Sequence, residues 1–124
     1  MTSPTQPLPP PDQLSKHHCV PCEGGTKPLT KAEYSVYLPQ VEKWQIVEEK
    51  QIQREFTLKN FMATIDFINQ IAEVAQSEGH HPDLLLHDYK KLTVTLTTHA
   101  IGGLSINDFV MAIKIDELFA KASV

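Results

Sequence analysis

The sequence predicts an α+β domain: a four-stranded antiparallel sheet with three helices packed on one face, in the order α-β-β-α-β-β-α. Three observations carry this reading. Two stretches alternate apolar and polar residues with a period of two, and each lies beside a second short apolar run. A long segment with helical apolar spacing separates the two pairs. The links within each pair are too short for a parallel crossover, so both pairs read as antiparallel hairpins. Helices on one face of such a sheet make a two-layer sandwich, with the other face left to water or to a partner subunit.

The elements follow in order. Residues 1–25 read as a Pro-rich, flexible tail rather than a domain. Pro4, Pro7, Pro9, Pro10 and Pro11 crowd the start, and Gly24-Gly25 close it. Prolines fix φ and remove backbone donors, which favours extended or disordered chain. Residues 26–124 read as the single domain. Thr30 caps a short helix with Glu33 as its capping-box partner, and that helix ends before Pro39. Trp44 to Val47 reads as a strand. Gln51 to Leu58 is a second, alternating strand, reached through a turn at Glu48-Glu49-Lys50.

Asn60 to Ser77 reads as a largely buried helix. Phe61, Ile65, Ile68, Ala72 and Ala75 form its stripe, Phe67, Ile71 and Val74 broaden it, and Gly79 stops it. Leu84 to Tyr89 is a strand. Lys91 to His99 is a stronger one, with Leu92, Val94 and Leu96 alternating against threonines. Gly102-Gly103 turn the chain. Ser105 opens the last helix, whose inner side carries Ile106, Phe109, Val110 and Ile113.

Composition excludes several function classes. The formal net charge is −4 and the pI about 5.8, which argues against nucleic acid as a direct partner because phosphate recognition needs a basic surface. No run of about 18 apolar residues is present, so no membrane span is expected. The polar, Arg-poor start is neither a secretory signal nor a transit peptide, so a cytoplasmic location is expected. Cys19 and Cys22 are then expected to stay reduced. As a Cys-x-x-Cys pair they supply two thiolates, short of the four ligands a structural zinc site needs, so no metal is expected.

Six histidines offer chemistry: His17, His18, His80, His81, His87 and His99. His80-His81-Pro82 follows the end of the long helix. His99 ends the best strand, with Asp108 shortly after. Histidine titrates near neutrality and can give or take a proton, so two or three of them with a carboxylate can run an elimination without metal. Pro82 biases His81 to extended backbone, which points His80 and His81 in different directions. A hairpin after Pro82 brings His99 close to one of them. Each residue also has a plainer reading. A histidine doublet is often a solvated turn, His99 a strand-end surface residue, and Asp108 the acid of a Ser105–Asp108 capping box. His87, Tyr89 and Trp44 read as ordinary strand, hairpin or core residues.

Taken together, Gly79-His80-His81-Pro82-Asp83, Tyr89, Thr97-Thr98-His99, Gly103-Leu104-Ser105 and Asp108 resemble the signature of the pterin-4a-carbinolamine dehydratase family. The resemblance covers nearly everything after Lys16, and Cys19-Val20-Pro21-Cys22-Glu23-Gly24-Gly25 is similar to the start of some members. Two departures are visible. Members often carry a charged residue where this chain has Gln76, with Glu78 the nearest substitute, and an acid where it has Ala100.

The resemblance implies dehydration of a 4a-hydroxytetrahydropterin to quinonoid dihydropterin and water, within tetrahydrobiopterin recycling. It implies His80, His81, His99 and Asp108 as the catalytic set. His80 and His99 would be the acid–base pair, His81 would orient the pterin, and Asp108 would hold a histidine tautomer. Gly79, Pro82, Thr97, Thr98 and Ala100 would line the substrate site. It implies no cofactor, the pterin being substrate, and a homodimer or homotetramer. A partner-binding, coactivator or assembly role on the same fold is the alternative, disfavoured by the presence of all three histidines.

Overall fold

The computed structural model describes residues 8–20 and 26–122. The elements are α1 (Lys31–Ser35), β1 (Gln45–Val47), β2 (Gln51–Thr57), α2 (Phe61–Glu78), β3 (Asp83–His87), β4 (Lys91–Leu96) and α3 (Ile106–Lys121), with short 3-10 turns between some of them. All strand pairs are antiparallel and the sheet order is β1-β2-β4-β3. The two hairpins therefore join through their second strands. Ile52 faces Leu96, Arg54 faces Val94 and Phe56 faces Leu92, so the even-numbered positions form one continuous inner face. Gln53, Glu55, Thr93 and Thr95 lie on the other face, which carries no helix among the described residues.

Local chemistry sets the element ends. Thr30 and Glu33 close a reciprocal capping box on α1, at 3.2 and 2.9 Å. Asn60 caps α2 by accepting from the Ala63 amide at 2.8 Å. Both hairpins turn through residues in the left-handed region: Glu48 and Glu49 in one, Asp88 and Tyr89 in the other. This hand matches the twist of the flanking strands. Gly103 is needed for a different reason. A Cβ there would come within 2.7 Å of Pro28 Cβ, where the Thr98–Gly103 bridge packs on the chain before α1.

The core holds two aromatic groups. Phe56 lies between Trp44, Phe67 and Phe119, with ring centroids 4.9–6.1 Å away, in edge-on contacts that favour the ring quadrupoles. Tyr37 meets Phe109 at 5.6 Å.

Two expectations need correction. The stretch read as a flexible tail is, over residues 8–20, packed on the domain. Pro11–Lys16 forms a 3-10 turn, Leu14 is 0% exposed within the core, and the Tyr37 hydroxyl donates to the Pro9 carbonyl at 2.7 Å. Prolines suppress sheet and helix ladders but do not oppose docking of one apolar side chain and a few side-chain hydrogen bonds. Pro21–Gly25, including Cys22, lies outside the described residues.

The second correction concerns α2. Its buried stripe is Thr64, Phe67, Ile71 and Ala75, while Phe61 and Ala72 are exposed and Ile65 and Ile68 only half-buried. The helix is apolar over more than one arc, so spacing alone does not choose which arc meets the sheet.

Candidate active site

The site begins at the end of α2. Gly79 adopts φ +68°, and its amide and that of His80 both donate to the Ala75 carbonyl. This is a Schellman stop, which fixes the backbone of His80 against the helix. Nothing lies within 4 Å of a Cβ built on Gly79, so Gly79→Ala meets only the left-handed backbone penalty. It is expected to destabilise the fold by roughly 1–2 kcal/mol, which thermal unfolding would measure as a fall in Tm.

His80 is braced by Asp108, on the first turn of α3. Its Nε2 lies 2.7 Å from Asp108 Oδ1, with the imidazole 11% and the carboxylate 0% exposed. A carboxylate only accepts, so Nε2 carries the hydrogen and Nδ1 keeps the lone pair when the ring is neutral. The other oxygen, Oδ2, accepts from the Ser105 amide at 2.9 Å and from the Thr98 hydroxyl at 2.8 Å. Thr98 has one hydroxyl hydrogen, so the 2.7 Å contact between Thr98 and Ser105 has Ser105 as donor. Asp108 thus makes two kinds of contact: one oxygen completes the capping box and the other accepts from His80. Full burial of this carboxylate is tolerated because both oxygens are satisfied.

His81 is exposed and turned to α2, where its Nε2 donates to Gln76 Oε1 at 3.1 Å. An uncharged amide is therefore the partner of His81. Glu78 does not substitute for it. Glu78 instead faces the N-terminal segment, accepting from the Cys19 amide at 2.7 Å and pairing with His18 at 2.9 Å and Lys114 at 3.7 Å.

Burial pushes the Glu78 carboxyl up, but the Cys19 amide, His18 and Lys114 outweigh it and hold the group below the ordinary carboxylate range. A lowered folded pKa contributes stability present above the unfolded value of about 4.3 and lost as pH falls through the folded value. The Cys19 amide is therefore expected to lose hydrogen-exchange protection selectively on acidification below that range, after correction for intrinsic exchange.

His99 opens a 3-10 turn, His99–Ile101, and is exposed, as is Ala100. The β3–β4 register pairs Asp83 with Thr95, which carries residues 80–82 and 96–99 to the same end of the sheet. Among the described residues, no two of His80, His81 and His99 are hydrogen-bonded to each other. Thr98, next to His99, shares Asp108 with His80, so one carboxylate links the two histidine-bearing segments.

Of the expected lining groups, Gly79 donates its amide to α2. Thr98 uses its amide and carbonyl inside the 98–103 loop. Thr97 donates its hydroxyl to the Lys50 carbonyl at 2.6 Å. Pro82 leads directly into β3 and is half-buried. Thr98 and Ser105 enter the site as supports of Asp108. Sequence reading missed that role, although a hydroxyl next to His99 and the cap three residues before Asp108 were its visible signals.

The architecture and the braced histidine together define a class: a small α+β protein with a histidine held by a buried carboxylate at one end of its sheet. Residues 27–118 match the family model for pterin 4 alpha carbinolamine dehydratase, and the chain belongs to that family.

Several curated bacterial proteins that carry the provisional name pterin-4-alpha-carbinolamine dehydratase are similar to it. One from Nitrosomonas europaea is 47% identical over 107 residues, covering 86% of this chain and 93% of the relative. One from Alkaliphilus metalliredigens is 42% identical over 107 residues, covering 86% and 96%.

Among solved structures, the transcriptional coactivator/pterin dehydratase from Brucella melitensis superposes with a TM-score of 0.70 at 32% identity, covering 78% of this chain and 100% of that one. A pterin dehydratase-like protein identified as a RuBisCO assembly factor in the alpha-carboxysome shares the fold at 18% identity and TM-score 0.51, covering 64% and 89%.

Proposed function

We propose that this protein dehydrates a 4a-hydroxytetrahydropterin to the quinonoid dihydropterin by histidine acid–base catalysis. The observation that carries the reading is the His80–Asp108 pair, a buried carboxylate that fixes one tautomer of a histidine still open to solvent. The reaction breaks the C4a–O bond and the N5–H bond. Hydroxide leaves poorly, so the departing hydroxyl needs a proton, and N5 must lose one. His80 Nδ1 is available for one transfer, and the exposed His99 is the second group. His81 orients the pterin. Each such transfer is typically worth about 10²–10⁴ in rate.

Membership of the dehydratase family supports the substrate class. The outer side of α2, where Phe61, Met62 and Ala72 are exposed, supports assembly as a homodimer or homotetramer. Tetrahydrobiopterin recycling in the cytoplasm, without a cofactor or a metal, completes the proposal.

Stopped-flow absorbance on chemically generated 4a-hydroxytetrahydropterin tests it. The folded chain should accelerate dehydration well above the spontaneous rate, equally with and without EDTA. No acceleration would overturn the enzyme reading. It would bring forward a partner-binding role, for which the helix-free sheet face is the available surface.

A further inference from the structure

The segment His18–Val20 takes no part in the chemistry above, yet it is bonded to both helix ends that carry it. Asn107 directly precedes Asp108. Its side-chain Oδ1 accepts from the Val20 amide at 2.9 Å and its Nδ2 donates to the Val20 carbonyl at 2.6 Å. The Asn107 carbonyl lies 3.7 Å from Cys19 Sγ, which donates to it. Glu78, two residues before His80, takes the Cys19 amide and also pairs with Lys114 of α3. The connections close a ring: α2 to Glu78, Glu78 to Cys19-Val20, Val20 to Asn107, and α3 back through Lys114 to Glu78.

We infer that this N-terminal segment is a bracket that sets the His80–Asp108 geometry, with Asn107 as its positioning residue. His80 and Asp108 stand on different helix ends, and a single 2.7 Å bond joins them. Its alignment depends on how far the end of α2 stands from the start of α3. The bracket grips both ends within two residues of the pair. Capping accounts for Ser105 and Asp108, but not for a buried asparagine whose amide addresses a segment 87 residues earlier. Only a carboxamide offers one acceptor and one donor side by side for a single residue's amide and carbonyl. Aspartate would set an anion against the Val20 carbonyl, and leucine would satisfy neither group. The lowered pKa of Glu78 agrees with a grip that involves its charged form.

The activity arm of the test rests on the dehydratase reading; the spectroscopic arm does not. Asn107→Leu and Val20→Pro would be made in the full chain. Val20→Pro deletes one bond of the clamp from an exposed position and leaves both helices unchanged. Ile115→Val, a core change on α3 away from the bracket, is the control.

Both bracket variants should lower kcat roughly 5–30-fold with KM within about twofold, since small displacements of catalytic groups are costly. Both should also shift the kcat–pH profile, and move or broaden the His80 Nε2–H resonance in ¹⁵N–¹H spectra. Ile115→Val should lower Tm and leave that resonance in place. An unchanged His80 resonance in folded Val20→Pro would overturn the bracket, whatever becomes of Asn107→Leu. Absence of dehydration by the unmodified chain would overturn the functional reading alone, and the resonance would still decide the bracket.

Discussion

Asp108→Asn is expected to lower the catalysed dehydration rate by roughly 10²–10⁴-fold while the protein stays folded. The reason lies in the count of donors. Asp108 accepts from the Ser105 amide, the Thr98 hydroxyl and His80 Nε2. An asparagine has one oxygen and one NH₂ group. The Ser105 amide cannot turn away, so the oxygen stays with it and the NH₂ faces His80. His80 must then present a lone pair at Nε2 and carry its hydrogen on Nδ1. The nitrogen available for proton transfer becomes a donor with no basic lone pair. His80→Ala should give a loss of similar size, and the double variant should lose little more, because residues acting as one unit are not additive. Stopped-flow rates on the two single variants and the double variant check this. An Asp108→Asn rate within about threefold of the unmodified chain would remove Asp108 from the mechanism and leave it as a helix cap, given the size expected of a proton-transfer group.

The largest stability effect is expected from Asp116→Ala. Arg54 sits on the inner sheet face between Ile52 and Phe56, with its guanidinium 4.2 Å from the Phe56 ring centroid and 5.3 Å from that of Phe119. Asp116 Oδ1 accepts from Arg54 at 2.6 Å and from the Trp44 indole at 2.9 Å. Removing the carboxylate strands a largely buried cation and an indole N–H. The expected cost is roughly 2–4 kcal/mol, somewhat below that for breaking a fully buried pair, or about 8–15 °C in Tm.

Burial pushes the Asp116 carboxyl above its ordinary range, although Trp44 and Arg54 both draw it down. The charged form is thus not favoured outright. With a raised folded pKa, this group's contribution is fully present below the unfolded pKa and is lost as pH rises through the folded pKa. Adding Arg54→Met to Asp116→Ala should therefore recover part of the loss by removing the uncompensated cation. What remains, about 1 kcal/mol or more, is the unpaired Trp44 indole N–H. A double variant less stable than Asp116→Ala would show that the packing of Arg54 on the two phenylalanine rings outweighs its charge.

Much of this site is legible in the sequence. Ser105 and Asp108 were readable as a capping box, and His80-His81 and His99 as proton-transfer candidates. Gly79 was readable as a helix stop, because each rests on local chemistry within a few residues. Whether Asp108 caps α3 alone or also reaches a histidine is not legible at that range, because it depends on where its second oxygen meets a residue 28 positions away. Glu78 shows the same limit from the other side. Its position suggested the histidine site, but its carboxylate faces His18 and Cys19, about 60 residues earlier in the chain.

The sequence by itself determined the α+β class, the order of the elements, both hairpins and the helix ends at Thr30, Gly79 and Ser105, since these follow from periodicities and hydrogen bonds inside short windows. Only the tertiary structure decided that β2 pairs with β4 and which arc of α2 is buried. Docking of the proline-rich start, and the Arg54–Asp116–Trp44 contact, likewise appear only in the fold. These outcomes turn on long-range packing, where several arrangements satisfy the same local pattern and the choice falls to whichever buries the most apolar surface without leaving a buried polar group unpaired.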